Sequence, residues 1–180
     1  GRIHRRKTMI NKKIETAINE QINEELYSAY LYLSMSGYFD SEDLPGFAQW
    51  MYAQYQEEVE HAMRFYRYLQ DRGGRVHLHA IKEPQHAWDS PLEAFEAAHE
   101  HEKYITGCIN DLVDLAESEH DRATFNMLQW YVDEQVEEEA SVEEIVAKLE
   151  MVGDSGNGLL MLDRELGQRQ APSGDEEPAE

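Results

Sequence analysis

The chain has 180 residues, 41% hydrophobic and 29% charged, which is enough for one domain with a sizeable core. Its formal charge of −21 disfavours nucleic acid and anionic membrane surfaces as partners and suits cations. The single cysteine, Cys108, excludes an intrachain disulfide or a four-thiolate metal site and fits a reducing cytoplasm, and no apolar run approaches the ~20 residues of a membrane span.

Residues 1–9 open with GRIHRRKT, basic and with no apolar stretch behind it, which reads as an expression remnant or unstructured leader. From there helical periodicity dominates and strand alternation is nearly missing, so the expected class is all-α. A first helix is predicted from about Asn11 to Phe39, with Ile14, Ile18, Ile22, Ala29 and Leu33 at three- and four-residue steps. DSEDLPG breaks it. The second starts near Leu44 with Pro45 in its first turn and runs to Asp71, where Gly73 and Gly74 supply a left-handed stop. The third opens with Ser90 as cap, Pro91 at N1 and Glu93 completing a capping box, and runs to about Glu117. Asp121 can cap a fourth that ends before Gly153, and a short fifth spans Asn157 to Leu166. The domain is expected over residues 10–167. Residues 168–180 form an acidic, proline-bearing tail with nothing to bury.

Four helices of about 28 residues, roughly 40 Å each, make a bundle. The segment GGRVHLHAIKEPQHAWDS between the second and third is about 18 residues and can extend to roughly 60 Å. It can run the length of the bundle and leave those two helices parallel, a topology that builds carboxylate-bridged metal sites. His77 and His79 within it read as surface residues.

Each apolar stripe is interrupted near mid-helix by an acid. On the first helix Ile14, Ile18, Gln21, Glu25, Ala29, Tyr32 and Ser36 share a face. The second stripe is Phe47, Trp50, Met51, Gln54, Glu58, His61, Phe65, Tyr68 and Leu69. The third is Phe95, Ala98, Glu102, Ile105 and Ile109, and the fourth Leu128, Tyr131, Gln135, Glu138, Val142, Ile145 and Leu149. One buried acid is commonly a satisfied core polar group. Four converging acids demand more positive charge than one side chain supplies, which a pair of divalent metals would meet. Carboxylate oxygens with one imidazole and no thiolate suit iron, manganese or zinc, and a Glu58 bridge between two redox-active ions favours iron. Stripe phase alone does not separate Glu24 from Glu25, or Glu138 from Glu139.

The segments INEELYSAYLYLSM, QEEVEHAM, HEKYI and FNMLQWYVDEQVEEE resemble the ferroxidase-centre segments of prokaryotic non-haem ferritins, over about Asn11 to Leu166. The resemblance implies a ferritin-like four-helix bundle with one long crossover and a short fifth C-terminal helix. It also implies a cytoplasmic homo-oligomeric cage of 24 subunits that oxidises Fe(II) with O2 or peroxide and stores ferric mineral. Residue by residue, it makes Glu25, Glu58 and His61 ligands of a first iron, and Glu58, Glu102 and Glu138 ligands of a second with Gln135 beside it. Glu57, Glu134 and Glu137 match a third iron site, with a solvated acidic face as the alternative. Tyr32 and Trp130 match aromatics that supply electrons, or are simply core.

Related families differ at identifiable positions. Symmetric di-iron proteins repeat Glu-x-x-His on the fourth helix, where this chain has Gln135-x-x-Glu138. Val59 occupies the position of the haem-ligating methionine of bacterioferritins, so no haem is expected, and Met51 and Met63 read as core fillers. One cysteine excludes the four-cysteine domain of rubrerythrin-like peroxidases. His99 shares a face with Glu102, but the family pattern assigns it nothing. The alternatives to iron storage are a di-iron oxygenase or peroxidase acting on a small substrate, and a helical scaffold whose acids face water.

Overall fold

The computed structural model describes residues 9–172; the leader and most of the acidic tail lie outside the described residues. Five helices follow in order, with no strand among the described residues: α1 (Lys12–Ser41), α2 (Pro45–Asp71), α3 (Pro91–Ser118), α4 (Arg122–Val152) and α5 (Gly156–Leu166). The four long ones have 30, 27, 28 and 31 residues.

The starts are chemically legible. Asn11 Oδ1 accepts the backbone N–H of Lys13 at 2.7 Å, Ser90 Oγ that of Glu93 at 3.1 Å, and Asp121 Oδ1 that of Thr124 at 3.1 Å. The box on α3 closes one residue early, because the Glu93 carboxylate accepts from the N–H of Asp89 rather than that of Ser90. Leu44 cannot cap α2 with its own side chain. The missing acceptor comes from α5, where the buried Asp163 Oδ1 takes the N–H of Phe47 at 2.9 Å. The two helices meet at Gly46, where a Cβ would lie 1.6 Å from the Asp163 carbonyl oxygen, so no other residue fits. At the far end of α2, Gly73 takes a φ of 73° and Gly74 does not share that conformation.

Residues 72–90 run as an irregular crossover along α1. Asn19 bonds the backbone of Arg75 and His77, Asn23 that of Ala80, Ser34 that of Gln85, and Tyr38 that of Trp88. Those partners climb α1 from residue 19 to residue 38, so the crossover spans most of the bundle and α2 and α3 are parallel. Side chains of α1 thereby pair several of its backbone groups without a helix or sheet. Trp88 is buried at its top, and His77 and His79 are exposed.

The core divides into two apolar halves. One holds Phe39, Phe47, Trp50, Phe95 and Trp88 with Ile145 and Leu149. The other holds Ile10, Ile14, Ile18, Ile22, Phe65, Leu69, Ile105, Ile109 and Leu128. Met51 is fully buried as a filler, whereas Met63 is half-buried, and Leu31 rather than Leu33 turns inward. Between the halves lies a layer of acids.

Candidate metal centre

The i, i+3 spacing on α2 points Glu58 and His61 inward, with Nδ1 of His61 3.3 Å from Glu58 Oε2. Glu25 from α1, Glu102 from α3 and Glu138 from α4 arrive at the same height, all buried. Potential ligand atoms of Glu25, Glu58 and His61 lie within 4.8 Å of one another, and so do those of Glu58, Glu102 and Glu138. Glu58 belongs to both groups, as a bridge requires. The ambiguity on α1 resolves because Glu24 faces outward, half-buried, and accepts the Tyr104 hydroxyl. On α4, Glu139 is half-buried and accepts from Thr106 Oγ1.

The electrostatics are those of anions lacking a cation. Burial pushes the carboxyls of Glu25, Glu58 and Glu102 above the usual range, with the neighbouring acid Glu58 adding to the effect at Glu25, and Glu102 and Glu138 adding to it at Glu58. Burial, then Glu102, pushes Glu138 up to about 8. Five buried side-chain atoms among the described residues have no hydrogen-bond partner, and two of them, Glu25 Oε2 and His61 Nδ1, belong to this cluster. Native interiors rarely leave such atoms orphaned, and Glu25 and His61 are both members of the first group, where a bound cation would give them a partner. The donor set therefore fits hard or borderline divalent cations.

Around the acids stands a shell of donors. Gln21 donates to Glu25 Oε1 at 3.2 Å, and Tyr32, fully buried, donates its hydroxyl to Glu102 Oε1. Burial and then Glu102 raise the Tyr32 phenol well above its ordinary range, so it stays protonated. Gln135 turns its amide nitrogen to Glu102 Oε2 and to the Glu102 carbonyl, at 3.1 and 3.2 Å, and so holds that carboxylate in place. Tyr131 donates to the His61 carbonyl at 2.6 Å. Trp130 is half-buried, edge-on to His61 at 5.3 Å between centroids and beneath the Arg64 guanidinium at 3.8 Å.

The outer acids divide. Glu134 reaches a group with His61 and Glu138, its Oε2 3.9 Å from His61 Nε2. Glu57 and Glu137 join no ligand group among the described residues, and Glu137 is exposed. All three line one cavity of about 380 Å3 that also touches Glu138. His99 likewise joins no ligand group there. Two contributors escape sequence reasoning. Gln54 donates to Glu138 Oε2 at 2.5 Å and to Glu58 Oε1 at 3.3 Å, and its place on the α2 stripe was the available signal. Arg169 reaches back from beyond α5 to ion-pair with Glu57 at 3.0 Å, and nothing local in the sequence announces it.

A bundle with one long crossover and carboxylates from all four helices meeting at mid-height is the ferritin-like architecture. A family model for the ferritin-like domain matches residues 15–152. The chain is 45% identical over 161 residues to a bacterial non-heme ferritin of Bacteroides fragilis, covering 89% of this chain and all of that one. It is 42% identical over 156 residues to one of Campylobacter jejuni, covering 87% and 93%. Among solved structures, an open pore ferritin of Archaeoglobus fulgidus superposes with a TM-score of 0.89 at 55% identity, covering 89% of this chain and 98% of that chain. The chain belongs to the ferritin family, in its prokaryotic non-haem branch.

Proposed function

We propose that this chain is the subunit of an iron-storage protein whose mid-bundle cluster is a ferroxidase centre. The observation that supports it most is the pair of ligand groups sharing Glu58, buried between two apolar halves, in which Glu25 Oε2 and His61 Nδ1 lack a hydrogen-bond partner among the described residues. In this reading Fe(II) is substrate. Glu25, His61 and Glu58 hold one ion, and Glu58, Glu102 and Glu138 hold the other. The shared carboxylate keeps the two ions side by side, so two electrons can pass to one molecule of O2 or peroxide. The surrounding residues position the ligands: Gln21 holds Glu25, Tyr32 and Gln135 hold Glu102, and Gln54 holds Glu58 and Glu138. We assign electron donation to Tyr32, hydrogen-bonded to Glu102, and to Trp130, edge-on to His61, with a plain core role as the alternative. The net charge of −21 draws cations inward, and Glu57, Glu134 and Glu137 offer the next stop beside the centre.

With matched relatives named as non-heme ferritins and an open pore ferritin, we take this chain to assemble into a homo-oligomeric shell of 24 subunits and to work in the cytoplasm. Among the described residues no helix is long and apolar enough to cross a membrane. Iron loading tests the reading. Aerobic addition of Fe(II) to the purified protein should leave far more than two irons per chain in a soluble particle visible by negative stain. A ceiling of about two per chain would favour an oxygenase or peroxidase instead, and none would leave a scaffold.

A further inference from the structure

Arg169 lies three residues beyond α5, and the anchoring of α5 explains how it is aimed. Asp163 fixes α5 against the start of α2, and the chain then turns with the N–H of Gly167 on the Asp163 carbonyl and that of Arg169 on the Leu166 carbonyl, at 3.0 and 3.2 Å. The guanidinium is thereby laid over the Trp50 ring, 4.3 Å from its centroid. It donates to the Trp50 carbonyl at 3.1 Å and to Gln54 Oε1 at 2.8 Å, and lies 3.0 Å from Glu57 Oε2. It is the one cationic side chain among the described residues that line the cavity of Glu57, Glu134, Glu137 and Glu138.

Two consequences follow from guanidinium chemistry. An arginine only donates, so the amide atom of Gln54 facing it must be the oxygen. The Gln54 NH2 is then committed to Glu138 and Glu58. Second, the guanidinium already neutralises part of the cavity that an entering cation would need, and its side chain is only 20% exposed.

We propose that Arg169 is a tethered cation that occupies the acidic cavity beside the metal centre, competes there with an incoming divalent cation, and through Gln54 positions Glu58 and Glu138. A cation that takes Glu57 displaces the guanidinium, releases the segment 167–172 from Trp50, and frees the Gln54 amide to turn. The C-terminal segment thus reports and resists filling of the cavity. The proposal rests on the reading of that cavity as a cation stop, so its test separates the two.

Zn(II), which does not oxidise, is titrated calorimetrically into the assembled full chain, as wild type, as Glu57→Gln/Glu134→Gln/Glu137→Gln, and as Arg169→Gln and Arg169→Lys. Wild type should bind a cation beyond the first two, and the triple variant should lose it. Arg169→Gln should tighten that extra site about five- to tenfold, the range for a partly exposed charged hydrogen bond, and Arg169→Lys should fall between. Hydrogen exchange over 167–172 should speed up when the extra cation binds to wild type and be fast from the outset in Arg169→Gln. An extra site lost in the triple variant, with unchanged affinity and unchanged exchange in Arg169→Gln, overturns the role of Arg169 and leaves the cavity reading standing. No extra site in wild type, or one that survives the triple substitution, overturns the cavity reading and the proposal with it.

Discussion

Two polar clusters interrupt this bundle, and they treat aspartate and glutamate in opposite ways. At one end, Arg72 at the close of α2 donates to Asp121 Oδ1 at 3.0 Å, to Thr124 Oγ1 at 3.2 Å and to the Tyr68 hydroxyl at 2.6 Å. Thr124 adds its own hydroxyl to Asp121 Oδ2 at 2.7 Å. Partial burial alone would push Asp121 up, but the hydrogen bonds from Arg72 and Thr124 prevail and hold it below the usual carboxylate range. At mid-height, four acids and a histidine have no such cation, and burial drives the acids the other way. An acid that joins helices is ionised and given its partner within the fold. Buried acids without such a partner are pushed toward the protonated form, and a bound cation would displace that proton.

That contrast is most directly broken at the bridge. Glu58→Ala removes a ligand from both proposed ions, so rapid Fe(II) oxidation in stopped flow should fall at least about 100-fold while circular dichroism keeps the helical signal. Oxidation at the wild-type rate would sink the assignment of the centre.

The opposite signs of the shifts lead to opposite pH responses. Glu138, at about 8 in the folded chain against an ordinary value near 4.5, holds a proton that the unfolded chain releases. Stability of the protein stripped of metal should therefore fall as pH rises from about 4.5 to 8, by an amount on the order of a few kcal/mol. Saturating Zn(II) should abolish the fall. Thermal melts from pH 5 to 8.5 with and without Zn(II) make the measurement, and a melting temperature that rises through that window in chelator would contradict the picture of uncompensated acids.

Asp121 should behave in mirror image. Its depressed folded value makes it stabilising above its ordinary value near 3.8, with the contribution lost as pH falls through the folded value. Asp121→Ala deletes a helix cap and an ion pair, and should cost about 1–2 kcal/mol in denaturant melts at pH 7 without altering iron oxidation. A change in oxidation would couple the two clusters that the structure keeps apart.

The smallest effect sharpens the boundary of the mid-height layer. Replacing Glu57, Glu134 and Glu137 together with Gln should leave oxidation at two irons per chain fast, and slow turnover at many irons per chain by about two- to fivefold. Equal slowing of both regimes would place these acids within the centre itself. No change in either would return them to a solvated face.

Helix spans and stripes were open to the sequence because both are local. A 3.6-residue period repeats within one helix, and Asn11, Ser90 and Asp121 cap N–H groups two or three residues away, so neighbours along the chain suffice to find them. The same period marked Glu58, His61 and Glu102 as inward-facing, and the length of the crossover allowed α2 and α3 to be parallel. What the period could not supply was the rotation of one helix against another to better than a residue. Glu25 and Glu24 differ by 100° about α1, and only packing decides that the first meets His61 and the second Tyr104. The orientation of the Gln54 and Gln135 amides, the cap that Asp163 lends to α2 across 116 residues, and the return of Arg169 onto Trp50 and Glu57 were likewise closed to sequence reading. Each joins atoms brought together by several helices at once, and no pattern within one of them records the distance. Sequence determined the inward stripe of each helix to within about a residue; tertiary structure decided which side chains and atoms meet, because a hydrogen bond or a shared cation tolerates a few tenths of an ångström while a hydrophobic stripe tolerates a whole side chain.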